Sequence, residues 1–263
     1  MMSTDAVTLN VDKRGIANVA LNRPGLHNAL DDETISLLAA TLETLAEDAS
    51  VRMVVLTGSG ISFSAGHDPE WLRRLSQFSA NELNRYAQQV ARLLHTLDTL
   101  PQPTLAKVQG SAFGLGVAMI ACCDIAISVS EALYSLADVK FGQIPALTAP
   151  YLIRAIGERA TRRYSITAER FNAGKAKRLG LVHQVVENDE LHAAVDHMAG
   201  QVLLNSPAAM RATKHLIGEI GKQEITPQVM QRCIEHSLTV RMSDEGREGI
   251  RALIEMRKPG WMD

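Results

Sequence analysis

Two strand-like runs of apolar positions, Ala6–Val11 and Ile16–Leu21, flank Asp12-Lys-Arg-Gly15 near the start of the chain. That order predicts a β-hairpin whose turn is made by Asp and Gly. Asp31 then stands where a helix N-cap belongs, and Ile35, Leu38, Leu42 and Leu45 behind it keep helical spacing. Val51–Leu56 reads as a strand. A second amphipathic helix is expected from near Ser79, with Leu83, Ala87, Val90, Leu94 and Leu97 on one stripe and Pro101 and Pro103 ending it. Strands at Thr104–Val108 and Ile125–Val129 enclose an apolar helix; a short strand or turn at Leu133–Ser135 leads to a loop carrying Asp138. From Pro150 onward the pattern is mostly helical, apart from Leu181–Val186. The order predicts an α/β protein, a spiral of ββα-like units with a helical tail. The spiral is expected over residues 1–195 and the helical region over 196–263, where Val202–Asn205 and Pro207–Ile217 read as one broken helix.

Two glycine-bearing segments carry the chemistry. Phe63-Ser-Ala-Gly-His-Asp68 follows the strand at Val51–Leu56, and Gly110-Ser-Ala-Phe-Gly-Leu-Gly-Val-Ala118 follows the strand at Thr104–Val108. A strand that turns through small residues into a helix leaves unpaired backbone N–H groups at the helix start. Two such ends facing one point would cradle a developing oxyanion, as acyl transfer or enolate chemistry needs. Gly110, Gly114 and Gly116 do not form a dinucleotide fingerprint, because the following helix is short and no acidic residue stands at the ribose distance.

Composition narrows the options. A hydrophobic content of 46%, a charged content of 21% and 263 residues describe a globular chain with one main core. The net charge of −2 argues against a general nucleic-acid or acidic-membrane binder. Cys122, Cys123 and Cys233 have no ligand spacing and read as buried thiols of a reducing compartment. No basic and apolar leader opens the sequence and no stretch is long enough to span a bilayer, so a cytoplasmic location is expected. Eight histidines without paired spacing give no expectation of a metal site.

Across almost its whole length the chain resembles the crotonase, or enoyl-CoA hydratase/isomerase, superfamily. The resemblance rests on LNRPGLHNAL, FSAGHD, QGSAFGLGVAMIACCDIAIS, DVKFGQIPA and RLGLVHQVV, in that order. AIGERATRRYSITAERF, LLNSPAAMRATKHL and EGIRALIEMRKPGW resemble one branch, the methylglutaconyl-CoA and γ-carboxygeranoyl-CoA hydratase-like proteins. The resemblance implies a CoA thioester substrate, no cofactor beyond the CoA of that substrate, and a homotrimer or dimer of trimers assembled through the helical tail. It implies that the backbone N–H groups of His67 and Leu115 polarise the thioester carbonyl. Ala65, Gly66, Asp68, Gly114 and Ala118 would line the substrate path, and Lys258 would approach the CoA phosphates, in some relatives from a neighbouring subunit. Arg73, Arg74, Arg85 and Lys140 are the candidates to meet a substrate carboxylate.

The chain departs from the family at three positions. The second N–H donor, usually glycine, is Leu115, which is harmless if its backbone is right-handed helical and strained if φ must be positive. The first catalytic glutamate position is Ala118, and the second is Asp138, shorter by one methylene. Read alone, Asp138 is a turn residue capping a local N–H; the resemblance implies that it handles water and protons. His67 matters for its N–H and Asp68 for capping a helix start, while Asp124 at the end of the apolar helix reads as a structural acceptor.

Overall fold

Residues 6–262 are described by the computed structural model. The hairpin forms as expected: β1 (Val7–Val11) and β2 (Ile16–Leu21) pair antiparallel with Val7 opposite Leu21. Asp12 makes the turn, its Oδ1 accepting the N–H groups of Arg14 at 2.8 Å and Ile16 at 3.0 Å. Gly15 adopts φ +81°, and a Cβ there would strike Ser50 O at 2.6 Å. Only glycine fits.

Asp31 caps α1 (Asp32–Glu47) by accepting Thr34 N–H at 2.8 Å, and Ile35, Leu38, Leu42 and Leu45 face the core. After β3 (Met53–Gly58) the chain turns a corner into a second, smaller sheet through β4 (Ser62–Ser64), then enters α2 (Pro69–Leu75) and α3 (Ala80–Thr99). Ser79 and Glu82 close a capping box at the start of α3. Only the later part of the expected stripe is buried: Val90, Leu94 and Leu97 are in the core, whereas Leu83 is exposed and Ala87 half-buried.

The same corner recurs twice. β5 (Thr104–Val108) leads to β6 (Ser111–Phe113) and α4 (Leu115–Cys122); β7 (Ile125–Val129) leads to β8 (Leu133–Ser135) and a 3₁₀ turn at Asp138–Phe141. α5 (Ala149–Ile156), α6 (Glu158–Thr167), β9 (Phe171–Asn172), α7 (Ala173–Leu179) and β10 (Gln184–Val186) follow. The larger sheet has the order β1-β2-β3-β5-β7-β10 and the smaller β4-β6-β8-β9. The successive pairs β3/β4, β5/β6, β7/β8 and β9/β10 each give one strand to each sheet, while β1 and β2 both join the larger one, in the expected α/β architecture. β4 and β6 were hidden inside the glycine segments, since three-residue strands carry no readable alternation. Gly110 permits their approach: a Cβ there would lie 1.9 Å from Ile61 O.

α8 (Leu191–Leu203) spans position 195, and Val195, Ala199 and Val202 are buried in the spiral's core. α9 (Pro207–Ile220) is a separate helix, started by Ser206 accepting Ala209 N–H, and α10 (Pro227–Met242) and α11 (Asp244–Ile254) follow. α9 is tied to the spiral by charge. Lys214 Nζ donates to Asp124 Oδ2 at 2.7 Å, and the same oxygen accepts from Thr104 N at 2.7 Å. Asp124 is thus an acceptor, as expected. The thiols of Cys122 and Cys123 are buried, and burial pushes that of Cys123 up to about 12; Cys233 is only half-buried, because α10 lies outside the main core.

Candidate active site

Three strands of the small sheet, β4, β6 and β8, run parallel, with β6 in the middle. Their C-terminal ends consequently open on one edge, where parallel α/β sheets gather ligands. Ser64 pairs with Ala112, and three residues beyond each lie His67 and Leu115. On the other side Phe113 pairs with Ser135, and Gly114 N–H donates to Ser135 O at 2.9 Å. Asp138 begins the turn that leaves this strand. Register alone brings His67, Leu115 and Asp138 to one edge.

The two turns touch. A Cβ on Gly66, which has φ +82°, would sit 2.9 Å from Phe113 O and 3.8 Å from Gly114 N. The outer side of the first turn is anchored to the 27–30 segment: Ala65 N–H donates to His27 O, Leu30 N–H to Gly66 O, and Asp68 N–H to Leu30 O. His67 faces away from that bridge, so its own N–H takes no part in it. Neither His67 N–H nor Leu115 N–H meets an acceptor among the described residues. The left-handed backbone falls on Gly114, at φ +51°; Leu115 is the first helical residue of α4 and its side chain is buried. Leucine therefore costs no backbone strain there. Ala118, one turn further along α4, is fully buried and offers a methyl group where the family carries a glutamate.

His67 has a side-chain environment as well. Its Nε2 lies 2.5 Å from Tyr86 Oη, and its ring stacks on Trp71 with centroids 5.8 Å apart. Burial pushes the imidazole below its usual range, and the negative charge of Asp138 offsets part of that shift. The ring is consequently neutral at pH 7, and Asp138 is close enough for its charge to be felt there. Tyr86 and Trp71 escaped the sequence reading, although Tyr86 sits three residues after Leu83 on the same helical stripe.

Asp68 is not available to a substrate. Its Oδ1 accepts from Glu70 N at 2.8 Å and Trp71 N at 3.2 Å, and its Oδ2 from Arg23 Nη2 at 2.8 Å. Burial pushes its carboxyl up, but these donors outweigh that and hold it below the usual carboxylate range. Arg23 also bonds Ala29 O and pairs with Asp31. The carboxylate therefore fastens α2 to the 23–31 segment instead of lining the acyl path.

The segment that follows Lys258 is anchored beside the start of β3. Nearby Trp261 is held by its carbonyl to Arg52 Nη1 at 3.0 Å and by its indole N–H to Leu204 O at 3.2 Å. Arg52 precedes β3, whereas Phe63–Asp68 follow that strand's far end, about 20 Å away at 3.3 Å per residue. Of the candidates for a substrate carboxylate, Arg73 pairs with Glu70 and Arg74 with Asp32, while Arg85 and Lys140 are exposed.

Residues 12–263 match the family described as enoyl-CoA hydratase/isomerase. A crotonyl-CoA hydratase of Syntrophomonas wolfei is 30% identical over 263 residues, with 99% of each chain covered. The crystal structure of an enoyl-CoA hydratase from Shewanella pealeana shares 37% identity at a TM-score of 0.95, covering 98% of this chain and 97% of that one. Pseudomonas aeruginosa AtuE shares 30% at a TM-score of 0.94, covering 98% and 100%. With fold, motif order and these likenesses in agreement, the chain belongs to the enoyl-CoA hydratase/isomerase family.

Proposed function

We propose that the protein hydrates a 2-enoyl-CoA thioester with a branched acyl group, of the kind handled by methylglutaconyl-CoA and γ-carboxygeranoyl-CoA hydratases. The observation that carries this reading is the meeting of two unpaired amides, those of His67 and Leu115, with the Asp138 carboxylate at one sheet edge. The thioester carbonyl accepts from both amides, which favours the enolate over the ground state. Water adds its oxygen to the β-carbon as Asp138 takes one of its protons, and the π electrons move onto the carbonyl oxygen. Asp138 then returns that proton to the α-carbon, so one carboxylate delivers both parts of water to the same face. No further cofactor is needed. The carbonyl of Ala65, which accepts no hydrogen bond among the described residues, suits the adenine side of CoA.

The helical region carries Ile217, Leu238, Leu253, Ile254 and Met256 exposed. Such a surface suits assembly with other copies, as a trimer or a dimer of trimers in the cytoplasm, where Lys258 would meet a neighbour's CoA. Among the described residues no helix is long and apolar enough to cross a membrane.

Ala118 favours a second reading, in which the cradle serves isomerisation, decarboxylation or thioester hydrolysis, or binds acyl-CoA without turnover. Incubation with crotonyl-CoA and 3-methylglutaconyl-CoA, followed by loss of the conjugated thioester absorbance, separates them. Hydration requires turnover that Asp138→Ala abolishes and Asp138→Glu retains. Binding without turnover, or a product other than the 3-hydroxyacyl thioester, rejects it.

A further inference from the structure

A second cluster lies away from the sheet edge, between α9 and α10. His215 and Glu219 are one helical turn apart on α9, and His236 faces them from α10. One ligand atom from each lies within 4.8 Å of the other two. Reading histidine spacings alone missed this group, because its second member is a glutamate and its third lies on another helix. His236 Nε2 is 2.9 Å from Glu219 Oε2, and the rings of His215 and His236 are 5.6 Å apart and tilted by 52°.

We propose that His215, Glu219 and His236 form a binding site for a divalent transition-metal ion of the zinc type, clasping α9 to α10. Ligand atoms about 2.0–2.1 Å from a tetrahedral Zn²⁺ stand roughly 3.3 Å from one another. One pair is already that close, and rotation of exposed His215 brings in the third atom. Two imidazoles and a carboxylate form a donor set for Zn²⁺, Co²⁺, Ni²⁺ or Cu²⁺, whereas Mg²⁺ and Ca²⁺ prefer oxygen alone. Arg232 Nε lies 3.2 Å from Glu219 Oε1 as an ion pair without a hydrogen bond, on the carboxylate oxygen other than the Oε2 that meets His236. His215 makes no hydrogen bond among the described residues, so no competing partner holds its ring. Three protein ligands leave a fourth position to water. The site is independent of the reaction proposed above, and its role is structural: a metal joining two helices of the region suited to assembly.

The test uses the full chain, treated with EDTA and dialysed, then titrated with ZnCl₂ by calorimetry, with metal per chain measured after gel filtration. The expected result is one Zn²⁺ per chain, no response to MgCl₂, and a thermal midpoint raised by Zn²⁺. His215→Ala and His236→Ala should each weaken binding by at least about tenfold, the scale on which even outer-shell changes act. His197→Ala, at an exposed position on α8, should bind as the parent does. Circular dichroism checks that the variants fold. No retained Zn²⁺, or equal binding by the His215 and His236 variants, overturns the proposal.

Discussion

Gly66→Ala tests whether the two turns at the sheet edge must touch. The added Cβ would adopt φ +82° and stand 2.9 Å from Phe113 O. Positive φ costs a non-glycine residue about 1–2 kcal/mol, and a contact that backbone must relieve adds about 1–3 kcal/mol. A total of about 3 kcal/mol lowers the thermal midpoint by roughly 6–12 °C in a chain of this size. Relief of the contact pushes His67 N–H from Leu115 N–H by about 0.3 Å, which on the scale of about 10²-fold per ångström reduces kcat about fourfold. Gly114→Ala is the internal control. Gly114 has φ +51°, but a Cβ there meets nothing within 4 Å. It carries the strain without the contact. Gly25→Ala, with neither positive φ nor a neighbour within 4 Å, should change nothing. Scanning calorimetry and steady-state hydration of crotonyl-CoA give both quantities. A Gly66→Ala protein as stable and active as Gly25→Ala would refute the reasoning, and one matching Gly114→Ala in stability would remove the contact from it.

Replacing the Leu115 amide by an ester, through incorporation of leucic acid, removes its N–H and weakens the Gly114 carbonyl that accepts from Val117 and Ala118; kcat should fall by about 10²–10³-fold, and an unchanged rate would dismiss the cradle. Asp68→Asn should lower stability by about 1–3 kcal/mol from the weakened cap and lost ion pair, measured by urea unfolding. Because the folded-state pKa of Asp68 is depressed, its contribution is complete above the unfolded value near 3.8 and is lost as pH falls through the folded value. The stability gap between parent and Asp68→Asn should therefore hold from pH 7 to 5 and narrow below pH 4; a gap that widens in acid would contradict the assignment. Tyr86→Phe leaves the ring nitrogen of His67 without its partner at 2.5 Å; about 1–2 kcal/mol of stability should go with it, and an unshifted thermal midpoint would show that water replaces the hydroxyl.

Local chemistry was legible wherever one residue acts on its immediate neighbours. Asp12 shapes its own hairpin, Asp31 and Ser79 start their own helices, and the stripe of α1 announces its buried face. These interactions span a few residues, so a string of letters contains them. The glycine segments were legible as turns for the same reason. The strands inside them were not, because β4 and β6 are three residues long and exist only by pairing with each other.

The sequence by itself determined the α/β class, the order of elements, both cradle turns and the family to which the motifs point. Tertiary structure decided which of these meet. Parallel register carries His67, Leu115 and Asp138 to one edge although 71 positions separate the first from the last. It also turns Asp68 into an anchor for Arg23, ties Trp261 to Arg52 at the start of β3, and sets His236 against His215 and Glu219. Contacts between distant segments depend on strand order and helix packing, which are properties of the whole buried core. No local window of the chain holds that information.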